Sequence, residues 1–245
     1  MNPWLAGSPQ DGRARLRLFC FPYAGGGSSI FRTWPKCLPE TIAVCPVELP
    51  GRGARLREAP RTRLADLVGE MAEGLSPYLD RPFAFFGHSM GALLGFELAR
   101  TLRRMGGPLP RHLFVSGHRA PQIPDPGPHV HALPEPAFVA ELRRLGGTPP
   151  AVLEHEELMQ LLLPILRADF ALVETYAYAP ESPLSCPITA LGGREDPEAG
   201  PGDLAAWRDQ TTGDFSLRML PGDHFFVHTA QPLLLAALSH ALQTA

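Results

Sequence analysis

The sequence predicts an α/β fold: a mostly parallel central sheet with helices on both faces and one helical insertion. Three observations carry that prediction. Apolar strand-like runs alternate with helical runs from Arg15 to Ser116 at the pitch of strand–helix–strand units. Phe83–Leu94 reads as an apolar strand, a Gly-x-Ser-x-Gly turn and the start of an apolar helix. The alternation then breaks into proline and leucine-rich helical sequence, and it resumes at Pro187.

Taken in order, Arg15–Phe21 alternates and then turns fully apolar, as a strand entering a covered sheet does. It runs into Pro22-Tyr23-Ala24-Gly25-Gly26-Gly27, where glycines let backbone approach a ligand closely. A phosphate loop would need a following Gly-Lys-Ser/Thr or Gly-x-Gly-x-x-Gly spacing, and neither is present. Thr41–Val47 is a second strand, followed by Leu49-Pro50-Gly51-Arg52-Gly53 and an Arg-rich loop expected to be solvated. Leu64, Leu67, Val68, Met71 and Leu75 fall at helical spacing, so a crossover helix leads into the strand at 83.

The helix after Ser89 is apolar on nearly all sides and should be buried. Arg100, Arg103 and Arg104 suit the negative end of its dipole, and Gly106-Gly107-Pro108 stops it. Leu113–Ser116 is the next strand. Pro121–Pro128, with prolines at 121, 124, 126 and 128, is no core element. Helices are expected at Glu135–Leu145 and Ala151–Tyr176, the second kinked by Pro164. An insertion here would sit above the strand ends where Ser89 is exposed, making it a candidate lid over an apolar site. Strands at Pro187–Leu191 and Phe215–Leu220 follow, with a short helix near Leu204–Trp207 between them and a closing helix from Gln231 to Leu242.

The chain has 245 residues, 44% of them apolar, which suits one core and one domain. Net charge is −3 with no basic block, so a nucleic-acid partner is not expected. Without a signal-like or membrane-length apolar run, a soluble cytoplasmic protein is expected. Cys20, Cys37, Cys45 and Cys186 show no paired spacing, so neither zinc nor disulfides are expected.

The chemistry centres on Ser89. A serine between Gly87 and Gly91 at a strand-to-helix turn has its hydroxyl pushed out above the sheet, with the first N–H groups of the helix aimed at the same point. A serine hydroxyl needs a base, and the base needs a partner to hold its tautomer. In the α/β-hydrolase order the acid and then the histidine follow the serine, each after a late strand. Asp196 follows the 187–191 strand and His224 the 215–220 strand, so both should project from the rim that bears Ser89.

Among the nine histidines, His88 must turn away from Ser89, and His118 precedes any suitable acid. His112, His129, His131 and His155 are expected at the surface, and His228 and His240 in or near the last helix. Asp203, Asp209, Asp214 and Asp223 are placed worse than Asp196. The N–H groups of Met90 and of the Tyr23-Ala24 turn would hold an oxyanion. On residues alone this reads as a serine hydrolase, and carboxylesterase, lipase and acyltransferase activities on free esters or acyl-CoA all stay open.

Five segments in order narrow the choice: Phe21–Gly26, Leu49–Gly53, Gly87–Gly91, Arg167–Phe170 and Leu220–Phe226. Together they resemble the type II thioesterases of polyketide and non-ribosomal peptide synthesis, over about Leu18 to the C-terminus. Tyr23 stands where many members have histidine. The resemblance implies Ser89, Asp196 and His224 as the triad, Ala24 and Met90 as oxyanion donors, and about 121–182 as the lid. It implies a monomer with no cofactor of its own, hydrolysing acyl groups from the phosphopantetheine arm of acyl or peptidyl carrier proteins. Arg52, Arg55, Arg57, Arg61 and Arg63 could meet an acidic carrier, although a solvated loop is the preferred reading.

Overall fold

The computed structural model describes residues 3–243 apart from 8, 10, 11, 125, 126 and 128. Of the proline-rich stretch, Pro126 and Pro128 therefore lie outside the described residues. Six strands form one sheet: β1 (Leu16–Phe21), β2 (Ile42–Pro46), β3 (Phe83–His88), β4 (Leu113–Ser116), β5 (Ile188–Gly193) and β6 (Phe215–Leu220). Their order is β2-β1-β3-β4-β5-β6, and all five pairings are parallel. The register pairs Phe21 with Gly87, His88 with Ser116, Ser116 with Leu191, and Gly193 with Leu220. The strands thus end together. The loops after β1, β3, β4, β5 and β6 leave from one rim, the edge where α/β folds place their ligands.

Alternation along the central strands sorts side chains to two covered faces. Phe19, Phe83 and Phe85 pack with α1 (Leu64–Leu75) and α2 (Met90–Arg104). Leu18, Ala84 and Phe86 pack on the other face with Phe31 and Trp34. Between β4 and β5 lie α3 (Glu135–Leu145), α4 (Pro150–Leu153) and α5 (Glu156–Glu174), with a small core of their own that includes Phe138, Leu142 and Leu163. α6 (Pro201–Ala205) precedes β6, and α7 (Phe226–Thr229) and α8 (Gln231–Gln243) follow it. Leu234, Leu235 and Leu238 of α8 complete the second face.

Three expectations need correction. The single helix over 151–176 is two. The backbone leaves the helical region at His155 (φ −98°, ψ 101°), whose ring accepts the Leu158 N–H and caps α5. Such a side chain competes for N–H groups that would otherwise continue the helix. Pro164 lies inside α5.

The Arg-rich loop is not simply solvated. Arg52 and Arg55 are 8% and 6% exposed, so neither is free to meet a partner. Arg55 lies over the Trp4 ring at 3.9 Å and pairs with Glu58. Arg61 pairs with Glu70. Arg57 and Arg63 are exposed.

His112 is buried rather than superficial. It is stacked on Phe114 at 4.2 Å and hydrogen-bonded through Nε2 to Thr189 Oγ1 at 2.8 Å. Burial holds its pKa down at about 4, against an ordinary 6.5. Between those two values the unfolded chain binds a proton that the folded chain refuses, so stability falls as pH drops from 6.5 to 4. The loss is on the order of 3 kcal/mol at 1.36 per unit. Urea titrations at pH 7 and pH 4 should show it, and His112→Gln should flatten that part of the pH dependence. An unchanged slope in the variant would contradict the assignment.

Candidate active site

β3 delivers Ser89 to the rim at a turn that only this local sequence permits. Ser89 has φ 53°, and among the described residues no other non-glycine residue has a positive φ. A Cβ on Gly87 would run into the Gly91 carbonyl and the Ala92 nitrogen, and one on Gly91 into the Phe21 carbonyl. Both contacts are with backbone and cannot be relieved by a rotamer. Gly87→Ala should therefore cost about 4 kcal/mol in urea unfolding. A loss below about 1 kcal/mol, the size of an ordinary substitution, would contradict the packing argument. The Ser89 N–H donates to Ser116 O at 2.7 Å, which ties the turn to β4. Met90 opens α2, so its N–H has no acceptor inside the helix.

The loops after β5 and β6 are laced together. A side chain on Gly193 would meet the Gly222 and Asp223 carbonyls. Arg194 N–H donates to Leu220 O at 2.8 Å and Glu195 N–H to Gly222 O at 3.1 Å. This brings Asp196 against His224, with Nδ1 to Oδ2 at 2.9 Å. The Asp196 carboxylate is fully buried, and its other oxygen accepts the Glu198 N–H at 2.8 Å. With Nδ1 committed to Asp196, Nε2 is left as the ring's basic atom. Ser89 and His224 line the same cavity. Among the described residues no hydrogen bond joins the Ser89 hydroxyl to the ring. Such bonds are commonly long until substrate packs against them.

His88 lies behind this pair, its ring 5.2 Å from that of His224. It is bonded through Nδ1 to Ser116 Oγ at 2.9 Å, and its Nε2 is buried. Burial first, and then the neighbouring His224, hold its pKa well below 6.5. A neutral His88 places no charge beside His224. Tyr23 reaches over the rim to His228, Oη to Nε2 at 2.9 Å. Burial raises the Tyr23 pKa and lowers that of His228.

The cavity measures about 220 Å³. Tyr23, Ala24, Ser89, Met90 and His224 form its rim side. Leu142 and Leu145 of α3 and Leu166, Phe170 and Val173 of α5 supply its apolar side. Four of the five predicted site residues, Ala24, Ser89, Met90 and His224, thus open on one space, and the fifth, Asp196, is buried against His224. The space can hold an apolar acyl group with its carbonyl over the serine.

Reading the residues one by one missed a buried pair beneath that rim. Asp169 of α5, 1% exposed, accepts a hydrogen bond from each of the two terminal guanidinium nitrogens of Arg52, at 2.7 Å each. A carboxylate among Leu166, Phe170 and Leu172 at helical spacing is a charge that must find a partner. That signal was available in the sequence.

Among the described residues no group of histidine, cysteine, aspartate and glutamate side chains could hold a metal ion. No helix among them is long and apolar enough to cross a membrane. Among the described residues no disulfide joins the four cysteines; Cys37 is exposed and the others are buried.

Comparison with known proteins agrees with this geometry. A thioesterase-domain family model matches residues 16–242. Linear gramicidin dehydrogenase LgrE of Brevibacillus parabrevis is 50% identical over 98% of this chain and 93% of its own. The RedJ thioesterase of the prodiginine pathway in Streptomyces coelicolor superposes with TM-score 0.89 and 46% identity, over 96% of this chain and 93% of its own. The type II thioesterase BorB from the borrelidin cluster gives TM-score 0.87 and 36% identity, over 97% and 96%. The dehydrogenase in LgrE's name finds no counterpart in the Gly25–Gly27 loop, which lacks dinucleotide-binding spacing. On fold, family match and relatives together, the chain belongs to the thioesterase family, on the branch of the type II thioesterases of polyketide and non-ribosomal peptide synthesis.

Proposed function

We propose that this protein is a serine thioesterase that clears misprimed or stalled acyl groups from the phosphopantetheine arm of acyl or peptidyl carrier proteins. His224 Nε2 takes the proton of Ser89 as its oxygen attacks the thioester carbonyl. Asp196 holds the ring's tautomer and stabilises the imidazolium. The N–H groups of Ala24 and Met90 receive the oxyanion. The thiol departs, an acyl-serine remains, and water activated by the same ring releases the acid. The chemistry is complete with these groups and needs no cofactor beyond the arm the substrate carries.

The observation that supports this reading best is the His224–Asp196 bond at the mouth of an apolar cavity that also holds Ser89. The chain is read as one α/β-hydrolase domain, monomeric and cytoplasmic, with about 121–182 as its lid. Residues of α3 and α5 line the cavity, which supports reading the insertion as a lid. The cavity is lined by Leu142, Leu166 and Phe170 and suits an acyl chain. The arm would enter from the rim.

Comparing one acyl group on a carrier protein, on CoA and as an aryl ester tests the assignment. The carrier thioester should show kcat/KM about tenfold or more above acyl-CoA, a difference of about 1.4 kcal/mol from carrier contacts. Preference for the aryl ester or for CoA would favour the carboxylesterase alternative.

A further inference from the structure

The loop that presents Ala24 is a β-turn closed by a bond from Gly26 N–H to Tyr23 O at 2.9 Å. Gly25, its third residue, has φ +76°. A turn with positive φ at that position favours glycine and is easily remodelled unless something holds it. Two buried groups hold it. The Gly25 N–H donates to Asp169 Oδ2 at 2.7 Å, and Arg52 donates to Gly26 O at 2.9 Å. Arg52 in turn grips Asp169 through both terminal nitrogens. Asp169 thus accepts three hydrogen bonds, one of them from the turn itself.

The same helix touches the turn a second time. A side chain on Gly25 would collide with Leu166 Cδ2, so Leu166 lies directly on the Gly25 Cα. Leu166 and Asp169 are three residues apart on α5 and share a face. Leu166, Phe170 and Val173 of that helix also wall the cavity.

We propose that Asp169 and Arg52 are positioning residues of the oxyanion loop, and that through them α5, a wall of the acyl cavity, sets the Ala24 N–H where the tetrahedral oxygen forms. This rests on the serine mechanism proposed above. Neither residue lines the cavity. The pair fixes a backbone donor whose placement matters only when charge develops on the carbonyl oxygen. A helix that shifts as the cavity fills would carry the donor with it, so that occupancy of the cavity and competence of the oxyanion site are coupled.

Three variants test it: Asp169→Asn, Arg52→Lys, and the double replacement Arg52→Met with Asp169→Leu, which leaves neither member of the pair as a lone buried charge. Each should lower kcat about 30-fold with KM within about threefold, less than outright loss of an oxyanion donor. Affinity for a boronic acid, which forms a tetrahedral adduct on the serine, should fall by the same factor. Affinity for the free acid product should not change. Arg52→Lys should retain the most activity, since it keeps the charge and loses the two-pronged grip. A purely structural role would lower the melting temperature and leave kcat and boronate affinity of the folded protein unchanged. Any folded variant within about threefold of the parent on both measures overturns the proposal.

The unaltered, ¹⁵N-labelled chain gives a second test that does not depend on the variants folding. The Gly25 amide should resist hydrogen exchange, and the Ala24 amide resonance should shift when the boronic acid binds. Fast Gly25 exchange or an unmoved Ala24 resonance overturns the proposal. A parent protein that takes no fluorophosphonate at Ser89 would sink the serine mechanism itself, whereas normal labelling in parent and variants alike would sink only this inference.

Discussion

Ser89→Ala is expected to lower kcat on a carrier-bound thioester by about 10⁵-fold while leaving KM within a few-fold, a loss of about 7 kcal/mol of transition-state stabilisation. Ser89 is the proposed nucleophile, and the elbow places it at the cavity, with Gly87 and Gly91 cleared of side chains to allow the turn. The variant keeps the cavity, the oxyanion donors and the His224–Asp196 pair, so it should still bind substrate. Residual hydrolysis by bound water, aided by the oxyanion site, should stand about 10³-fold above the uncatalysed rate. Steady-state kinetics on one acyl-carrier substrate measure this. A variant retaining more than about one part in a hundred of parental kcat would remove Ser89 from the chemistry.

The second large effect is expected at Asp196. Its carboxylate uses one oxygen for the Glu198 N–H and the other for His224 Nδ1. Asparagine offers one oxygen only. If that oxygen stays with Glu198, the amide NH₂ faces Nδ1 and drives the ring proton to Nε2, where the base is needed. Asp196→Asn should therefore cost about 10³- to 10⁴-fold in kcat at neutral pH, with little change in stability or KM. The rate of fluorophosphonate labelling at Ser89 should fall in parallel, since both reactions need the same free Nε2. A loss smaller than tenfold would mean that another group orients His224.

The placement of those residues at one rim could be read from sequence because their signals are local. Gly87 and Gly91 flank the serine, and Asp196 and His224 each follow an apolar strand directly, so chain order and the shared rim of a parallel sheet suffice. The strands were legible for the same reason: a run such as Phe83–Phe86, covered on both faces, is apolar without interruption. What escaped depends on partners distant in the chain. Arg52 sits in a loop rich in arginine and reads as solvated, and only the fold brings Asp169 to it across 117 positions. His112 precedes a strand and reads as surface. The sheet's register places Thr189 beside it and so makes a buried neutral histidine tolerable. The break between α4 and α5 was hidden because leucines continue at helical spacing on both sides of it, while the cap is made by a side chain outside the usual capping set.

Asp169 links the two kinds of information. Its segment, Arg167–Phe170, contributes to the family resemblance, but the resemblance alone gives it no task. The structure gives it three donors and a place under the loop that carries Ala24.

Everything proposed for this protein turns on one covalent event, and peptide mapping after fluorophosphonate treatment tests it most directly. The account predicts a single added mass on the peptide that contains Ser89, appearing in step with the loss of carrier-thioester hydrolysis and prevented by a competing acyl substrate. Full activity in protein labelled to completion, or a label elsewhere accompanied by complete inactivation, would contradict it.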